Sequence, residues 1–257
     1  MKLRFLDTPP APGSYNMAVD EALMESVREG GTPVLRFYRW EPRCLSFGRN
    51  QPAVGWYDRE RIAALGLDVV RRPTGGRAVV HARELTYAVV VRDHSLGGPR
   101  ESYRSINRAL AAGLRRLGLD ARIHASAVAR AAVPSTNPCF EEPAEGEVVV
   151  ADRKLVGSAQ WRRAGVLLQH GSLLLADDQQ LLASVTRNGQ PAGLPPATLA
   201  EHLAELPDWT TLTAALLAGW TEVLGADLQP SELSSKELAR VRELVAKHSD
   251  PEWIWRS

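Results

Sequence analysis

Lysine is nearly absent from this chain. Of its 257 residues, 31 are basic, and all of those but Lys2, Lys154, Lys236 and Lys247 are arginine. An arginine-rich coding bias accounts for the scarcity in general, but not for the survival of Lys154 alone between the second residue and the C-terminal helical stretch. Cysteine is equally sparse. Cys44 and Cys139 could make one bridge at most, and no CxxC spacing points to zinc or redox chemistry. A reducing, cytoplasmic setting is the expectation. The six histidines lack the i, i+4 spacing of a helical metal pair, so no metal is expected. No run approaches the ~20 apolar residues of a membrane helix, and the first seven residues stop being apolar too early for a secretion signal. A net charge of +1 lacks the basic excess that marks nucleic-acid or acidic-membrane binders, so neither partner is expected.

What is present is enough for a large core. With 44% hydrophobic residues at this length, neither disulfides nor metals are needed to hold the fold. Ser14 is placed to cap a helix over 15–29, which Gly30-Gly31 would stop. Short strands are predicted at 34–40 and 45–47, a helix at 58–65, and a strand at 68–72. The apolar, β-branched run 85–91 reads as a buried strand, and 101–117 as an amphipathic helix. The proline-rich stretch 125–146 reads as a long loop. Strands follow at 148–150, 154–160 and 166–175, then helices near 178–185, 198–204, 210–224 and 232–247. The expected class is α+β, one catalytic domain over 1–257, strand-rich over 1–176 and helical over 177–257.

Three places could carry chemistry. Arg71-Arg72-Pro73-Thr74-Gly75-Gly76-Arg77 follows a strand, and paired glycines let the backbone approach a ligand while successive N–H groups and arginines form a nest. The plain alternative is a structural turn flanked by solvated charges. Cys139 sits between Asn137-Pro138 and Phe140. It is either a nucleophile, given a cation such as Lys154 folding back towards it, or a small buried hydrophobe like Cys44. His81 and His170 flank strands and read either as bases or as satisfied structural residues. The acidic run of Glu141, Glu142, Glu145 and Glu147 reads as a solvated rim, and Trp253 and Trp255 as packing area.

Several segments in order over about 14–175 resemble the lipoate/octanoate attachment family, whose catalytic domain is shared with biotin protein ligases. The run from Arg71 through Thr74-Gly75-Gly76 to Ala78 and His81 is similar to that family's acyl-binding RRxTGG motif, followed by Glu84-Leu85-Thr86-Tyr87. Asp152-Arg153-Lys154-Leu155-Val156-Gly157-Ser158-Ala159-Gln160 resembles its lysine strand, and Leu168-Gln169-His170-Gly171-Ser172, Asn16-Met17-Ala18-Val19-Asp20-Glu21 and Ser46-Phe47-Gly48-Arg49-Asn50-Gln51 also match. The resemblance implies a central mixed or antiparallel sheet with flanking helices. It also implies substrate-binding roles for Arg72, Thr74, Gly75, Gly76, Arg77, Ala78, His81, Gly157, Ser158, Ala159 and Gln160.

Within the family, Asn137-Pro138-Cys139-Phe140-Glu141 resembles the loop of octanoyltransferases that act on a glycine-cleavage H protein. There a Cys-Phe pair precedes the lysine strand and the cysteine is the nucleophile. The resemblance thus implies Cys139 and Lys154 as catalytic residues, octanoyl-acyl carrier protein as donor, a lipoyl-domain protein as acceptor, and no cofactor. The alternatives are an ATP-dependent lipoate ligase and a non-catalytic acyl-binding relative. Ligases usually carry a third glycine where this chain has Arg77, and commonly a C-terminal accessory domain, for which the ten residues after 247 leave no room.

Overall fold

The computed structural model describes residues 1–125, 140, 143–187 and 195–256. In chain order its elements are β1 (Lys2–Asp7), α1 (Gly13–Arg28), β2 (Val34–Tyr38), β3 (Cys44–Phe47), α2 (Arg59–Ala64), β4 (Asp68–Arg71), β5 (Val79–His81), β6 (Glu84–Arg92), α3 (Pro99–Arg116) and β7 (Arg122–Ile123). They continue with β8 (Val148–Val150), β9 (Arg153–Arg163), β10 (Val166–Leu174), α4 (Gln180–Val185), α5 (Leu199–His202), α6 (Trp209–Leu224), β11 (Asp227–Pro230), α7 (Ser235–Ser249) and α8 (Pro251–Ile254).

Eight strands make one sheet in the order β11-β1-β2-β6-β10-β9-β8-β7. The pairings of β1 with β11 and β2 are parallel and the remainder antiparallel, so of the mixed or antiparallel sheet that the family resemblance implies it is the mixed one that forms. A second sheet, β4-β3-β5, has three strands. Strand alternation explains the layering. Leu85, Tyr87, Val89 and Val91 of β6 pack with Ile106, Leu110, Leu216 and Trp220, so α3 and α6 cover one face of the large sheet. Ala88 and Val90 point the other way, into Met17, Leu23 and Leu168 beneath α1, with Val241 and Leu244 of α7 completing that layer. Both faces of β6 are therefore buried, which is why its sequence is an unbroken apolar run.

Two expectations need correction. Ser14 does not cap α1. The helix begins at Gly13 with Pro12 at the N-cap and no side-chain cap. Instead Asp68 Oδ2 accepts from the Gly13 N–H at 2.7 Å, so a carboxylate distant in sequence satisfies the helix terminus. The C-terminal part is not purely helical either. β11 pairs with β1 at the sheet edge, and its Asp227-Leu228-Gln229-Pro230 sequence gives no apolar alternation because an edge strand need not bury a face. β1 escaped notice for a similar reason, since only Leu3 and Leu6 of its six residues are buried.

Ion pairs fasten α7 to α1. Glu21 accepts from Lys247 Nζ at 2.6 Å and lies 3.0 Å from His248 Nε2. Burial alone would raise the Glu21 carboxyl, but the hydrogen bonds and charge of His248 and Lys247 outweigh it and bring it from 4.5 down to about 2. A depressed carboxylate contributes its stability above its unfolded value and loses it as pH falls towards its folded one. The wild-type Tm is therefore expected to fall more steeply between about pH 4.5 and 2 than that of Glu21→Gln. Parallel acid limbs for the two proteins would show that Glu21 does not carry this linkage. Among the described residues, no helix is long and apolar enough to cross a membrane, and no cluster of three metal-ligating side chains occurs.

Candidate active site

A small, partly open cavity lies between the two sheets. Thr86, Ser172 and Gly157 lie side by side across β6, β10 and β9, and Ala88, His170 and Ala159 form the next row. Tyr38 and Trp40 from the end of β2, together with Thr86, Gly157, Ser158, Ala159, His170, Gly171 and Ser172, make the large-sheet wall. Arg72, Gly76, Val79 and His81 make the opposite wall. Small side chains are required in the middle. A Cβ added to Gly157 would stand 2.7 Å from Phe140 Cζ, so the Phe140 ring rests directly on the strand, in a cluster with Val79 and Leu174.

Both histidines are fully committed to hydrogen bonds. His81 Nδ1 lies 2.7 Å from Glu84 Oε1, and its Nε2 lies 2.6 Å from Ser46 Oγ. Arg72 donates to the same Ser46 oxygen at 2.5 Å, so the hydroxyl proton points to the imidazole and Nδ1 carries the ring proton. Trp40 stacks on this ring at 4.0 Å and 12°, and its indole N–H donates to Thr86 at 2.6 Å. His170 is set in the same way. Its Nδ1 is 3.0 Å from Asp20 Oδ2 and its Nε2 is 2.6 Å from Thr74 Oγ1. Burial pushes the His170 imidazole below its ordinary value against the opposing pull of Asp20. Asp20 is itself held by Arg36 at 2.8 Å. Burial would raise its carboxyl, yet His170 and Arg36 together bring it below the usual range. No ring nitrogen of His81 or His170 is left over for a substrate proton, so these residues build the wall.

The two arginines of the RRxTGG motif diverge. Neither is a solvated charge, since both are buried. Arg71 turns away from the cavity and donates to backbone carbonyls of Gly48 and Gln51, each at 2.6 Å. Arg72 turns inward, donating to Ser46 and to the Arg77 carbonyl at 2.8 Å, and thereby ties the Gly75-Gly76 turn to β3. Gly48 and Gly76 touch backbone to backbone, and a Cβ on Gly48 would collide with the Gly76 carbonyl.

Lys154 lies at the start of β9, 4% exposed, with its ammonium 2.8 Å from Glu147 Oε1 and 5.2 Å from the centre of the Phe140 ring. Glu147 is buried too, which corrects its assignment to a solvated rim. It accepts from the Ala144 N–H at 2.8 Å and from Tyr103 Oη at 3.3 Å. A carboxylate closing a run of acidic residues looks exposed in sequence. What buries this one is its position just before β8, whose Val149 is paired with Lys154.

Of the predicted site residues, Arg72, Gly76, His81, Gly157, Ser158 and Ala159 line the cavity. Thr74 acts one step back through His170, and the Gly75 and Arg77 carbonyls accept from Arg72. Ala78 packs into the core behind the small sheet with Leu45 and Val80. Gln160 is on the other face of β9, with its amide near Ser102 and Gln169. Cys139, Glu141 and Glu142 lie outside the described residues. Sequence reasoning missed Glu147, Trp40 and Tyr38. The alternation of β2 could have aimed Tyr38 at the same face as Arg36, whereas nothing in the sequence marks Trp40.

Residues 12–218 match the model of the lipoyl protein ligase A/B catalytic domain family. The chain is 43% identical to an octanoyltransferase LipM of Kyrpidia tusciae and 40% identical to one of Symbiobacterium thermophilum, with 98% of each chain covered in both comparisons. Among solved structures it is similar to a lipoate-protein ligase A bound with ATP, with a TM-score of 0.83 and 28% identity, covering 99% of both chains. It is also similar to a bipartite lipoate protein ligase of Thermoplasma acidophilum, with a TM-score of 0.80 and 27% identity, covering 99% of this chain and 96% of that one.

Proposed function

The chain belongs to the lipoyl protein ligase A/B catalytic domain family, and on that premise we propose that it transfers an octanoyl group from a carrier-protein thioester to a lysine of a lipoyl-domain protein. The likeness to octanoyltransferases along almost the whole chain supports the transferase over the ligase. The observation that carries the chemistry is the buried Lys154 ammonium facing Phe140, the residue that follows Cys139 and whose ring rests against Gly157 of the cavity wall.

In this mechanism the Cys139 thiolate attacks the thioester carbonyl. The tetrahedral oxyanion collapses, the donor's pantetheine thiolate leaves and takes up a proton, and octanoyl-Cys139 remains. A neutral acceptor lysine then attacks the acyl-enzyme, loses a proton, and expels the Cys139 thiolate to give an amide. Exchange between thioesters is nearly isoenergetic and thioester to amide is downhill, so ATP has no role. Lys154 stabilises the thiolate and the oxyanion by its charge, and backbone N–H groups near Gly75-Gly76 or Ser158-Ala159 add donors. Burying the acyl chain, at ~0.8 kcal/mol per CH₂, supplies several kcal/mol for positioning. A glycine-cleavage H protein is the proposed acceptor.

Octanoyl carrier protein without ATP, and octanoate with ATP, are the two donors to compare on an H protein. Mass measurement of the acceptor should show octanoylation with the first alone. Modification only with octanoate and ATP would make the enzyme a ligase instead.

A further inference from the structure

The proposed reaction leaves the C-terminal turn without a role, yet the turn is firmly built in. Arg71 donates to the carbonyls of Trp253 at 2.9 Å and Ile254 at 2.8 Å, and the Arg256 carbonyl accepts from the Ala53 N–H at 3.1 Å. These bonds fix α8 and Arg256 beside the loop that follows β3. Three guanidinium groups gather there on two indoles. Arg49 lies 5.0 Å from the centre of the Trp161 ring and 5.9 Å from that of Trp253. Arg163 lies 5.5 Å from the Trp161 ring, and Arg256 lies 4.4 Å from that of Trp253 and donates to the Arg49 carbonyl.

Several other arginines meet carboxylates, as Arg4 does Glu237, Arg36 does Asp20 and Arg240 does Glu25. Arg49, Arg163 and Arg256 pair with no carboxylate among the described residues. Burial, and then the charge of Arg49, hold the Arg256 guanidinium below its ordinary value. Like charges gathered with no carboxylate partner among the described residues are a cost that a bound anion would relieve.

The cluster stands in line with the cavity. Alternation along β9 puts Gly157, Ala159, Trp161 and Arg163 on one face, and the first two line the cavity. Trp161 is four residues beyond Gly157, about 13 Å at ~3.3 Å per residue. Arg49 reaches the same point from the opposite wall, its N–H bonded to the Thr74 carbonyl at 2.7 Å.

We propose that Arg49, Arg163 and Arg256 bind the phosphate of the donor's phosphopantetheine arm while its acyl end occupies the cavity. The inference rests on the thioester-donor reading above. Guanidinium forks fit phosphate oxygens in a bidentate manner, and the indole faces hold the forks in place without neutralising them. The arm itself would run along the face of β9 between rim and cavity.

The test is a ratio of kcat/KM values, octanoyl-4′-phosphopantetheine over octanoyl-pantetheine, for the wild type and for Arg49→Gln/Arg163→Gln/Arg256→Gln. The wild type should favour the phosphorylated thioester by on the order of tenfold or more, and the variant's ratio should fall to about one. Both substrates meet the same folded fraction, so partial misfolding cancels. Added salt should erode the wild-type ratio. Equal use of the two thioesters by the wild type, or full preference in the variant, would overturn the phosphate rim and leave octanoyl transfer standing. Turnover of neither would overturn the donor reading, and the rim with it.

Discussion

Cys139→Ser is expected to lower octanoyl transfer by about a thousandfold or more, which is about 4 kcal/mol of transition-state stabilisation. A thiol ionises far more readily than a hydroxyl, and both histidines at the cavity have their nitrogens committed elsewhere. Neither histidine is therefore on hand to activate a serine. Cys44 provides the internal comparison. It is fully buried on β3, and burial pushes its thiol well up. Cys44→Ser should cost stability by placing a hydroxyl in the core, yet leave transfer per folded molecule intact. Full activity in Cys139→Ser would remove the covalent mechanism.

The second large effect concerns the buried ion pair of Lys154 and Glu147. Lys154→Arg keeps the charge but replaces a compact ammonium, 2.8 Å from Glu147, by a broader planar group that must displace the Phe140 ring. Transfer should fall about a hundredfold. Lys154→Met should lose activity and also about 3–5 kcal/mol of stability, because it strands the Glu147 carboxylate in the interior. Adding Glu147→Gln to Lys154→Met removes that stranded charge. The double variant should recover much of the lost Tm and none of the lost turnover. Recovery of both would make Lys154 a structural residue, and wild-type activity in Lys154→Arg would reduce it to a bystander.

These residues also show what could be read from the chain. The buried character of β6 and the extents of α3 and α6 follow from hydrophobic periodicity, which records burial on one or both faces, whereas the central sheet was implied by the family resemblance. Elements at the margin follow less well. β11 carries Asp, Gln and Pro, and only its pairing with β1 makes it a strand. The α1 terminus is closed by Asp68 rather than by the nearby Ser14, a tertiary substitution that local capping rules do not anticipate. The site shows the same division. Motif resemblance pointed to Arg72, His81 and Gly157, which line the cavity, because their spacing lies within single strands and turns. It could not separate Arg71 from Arg72, since the opposed directions of two consecutive side chains on β4 and the turn after it depend on what each wall offers. The role of Glu147 was invisible for the same reason: acidic residues in a polar stretch look solvated until a partner strand brings a lysine over them. The scarcity of lysine was informative after all, for the one internal lysine is the one held in the interior by a carboxylate.

Intact-mass measurement of the enzyme after mixing with octanoyl carrier protein, in the absence of an acceptor, tests the central claim most directly. The account predicts one octanoyl group per molecule, mapped to Cys139, removed by hydroxylamine and discharged on addition of the lipoyl-domain acceptor. An enzyme that stays unmodified while still transferring octanoyl at full rate would contradict it.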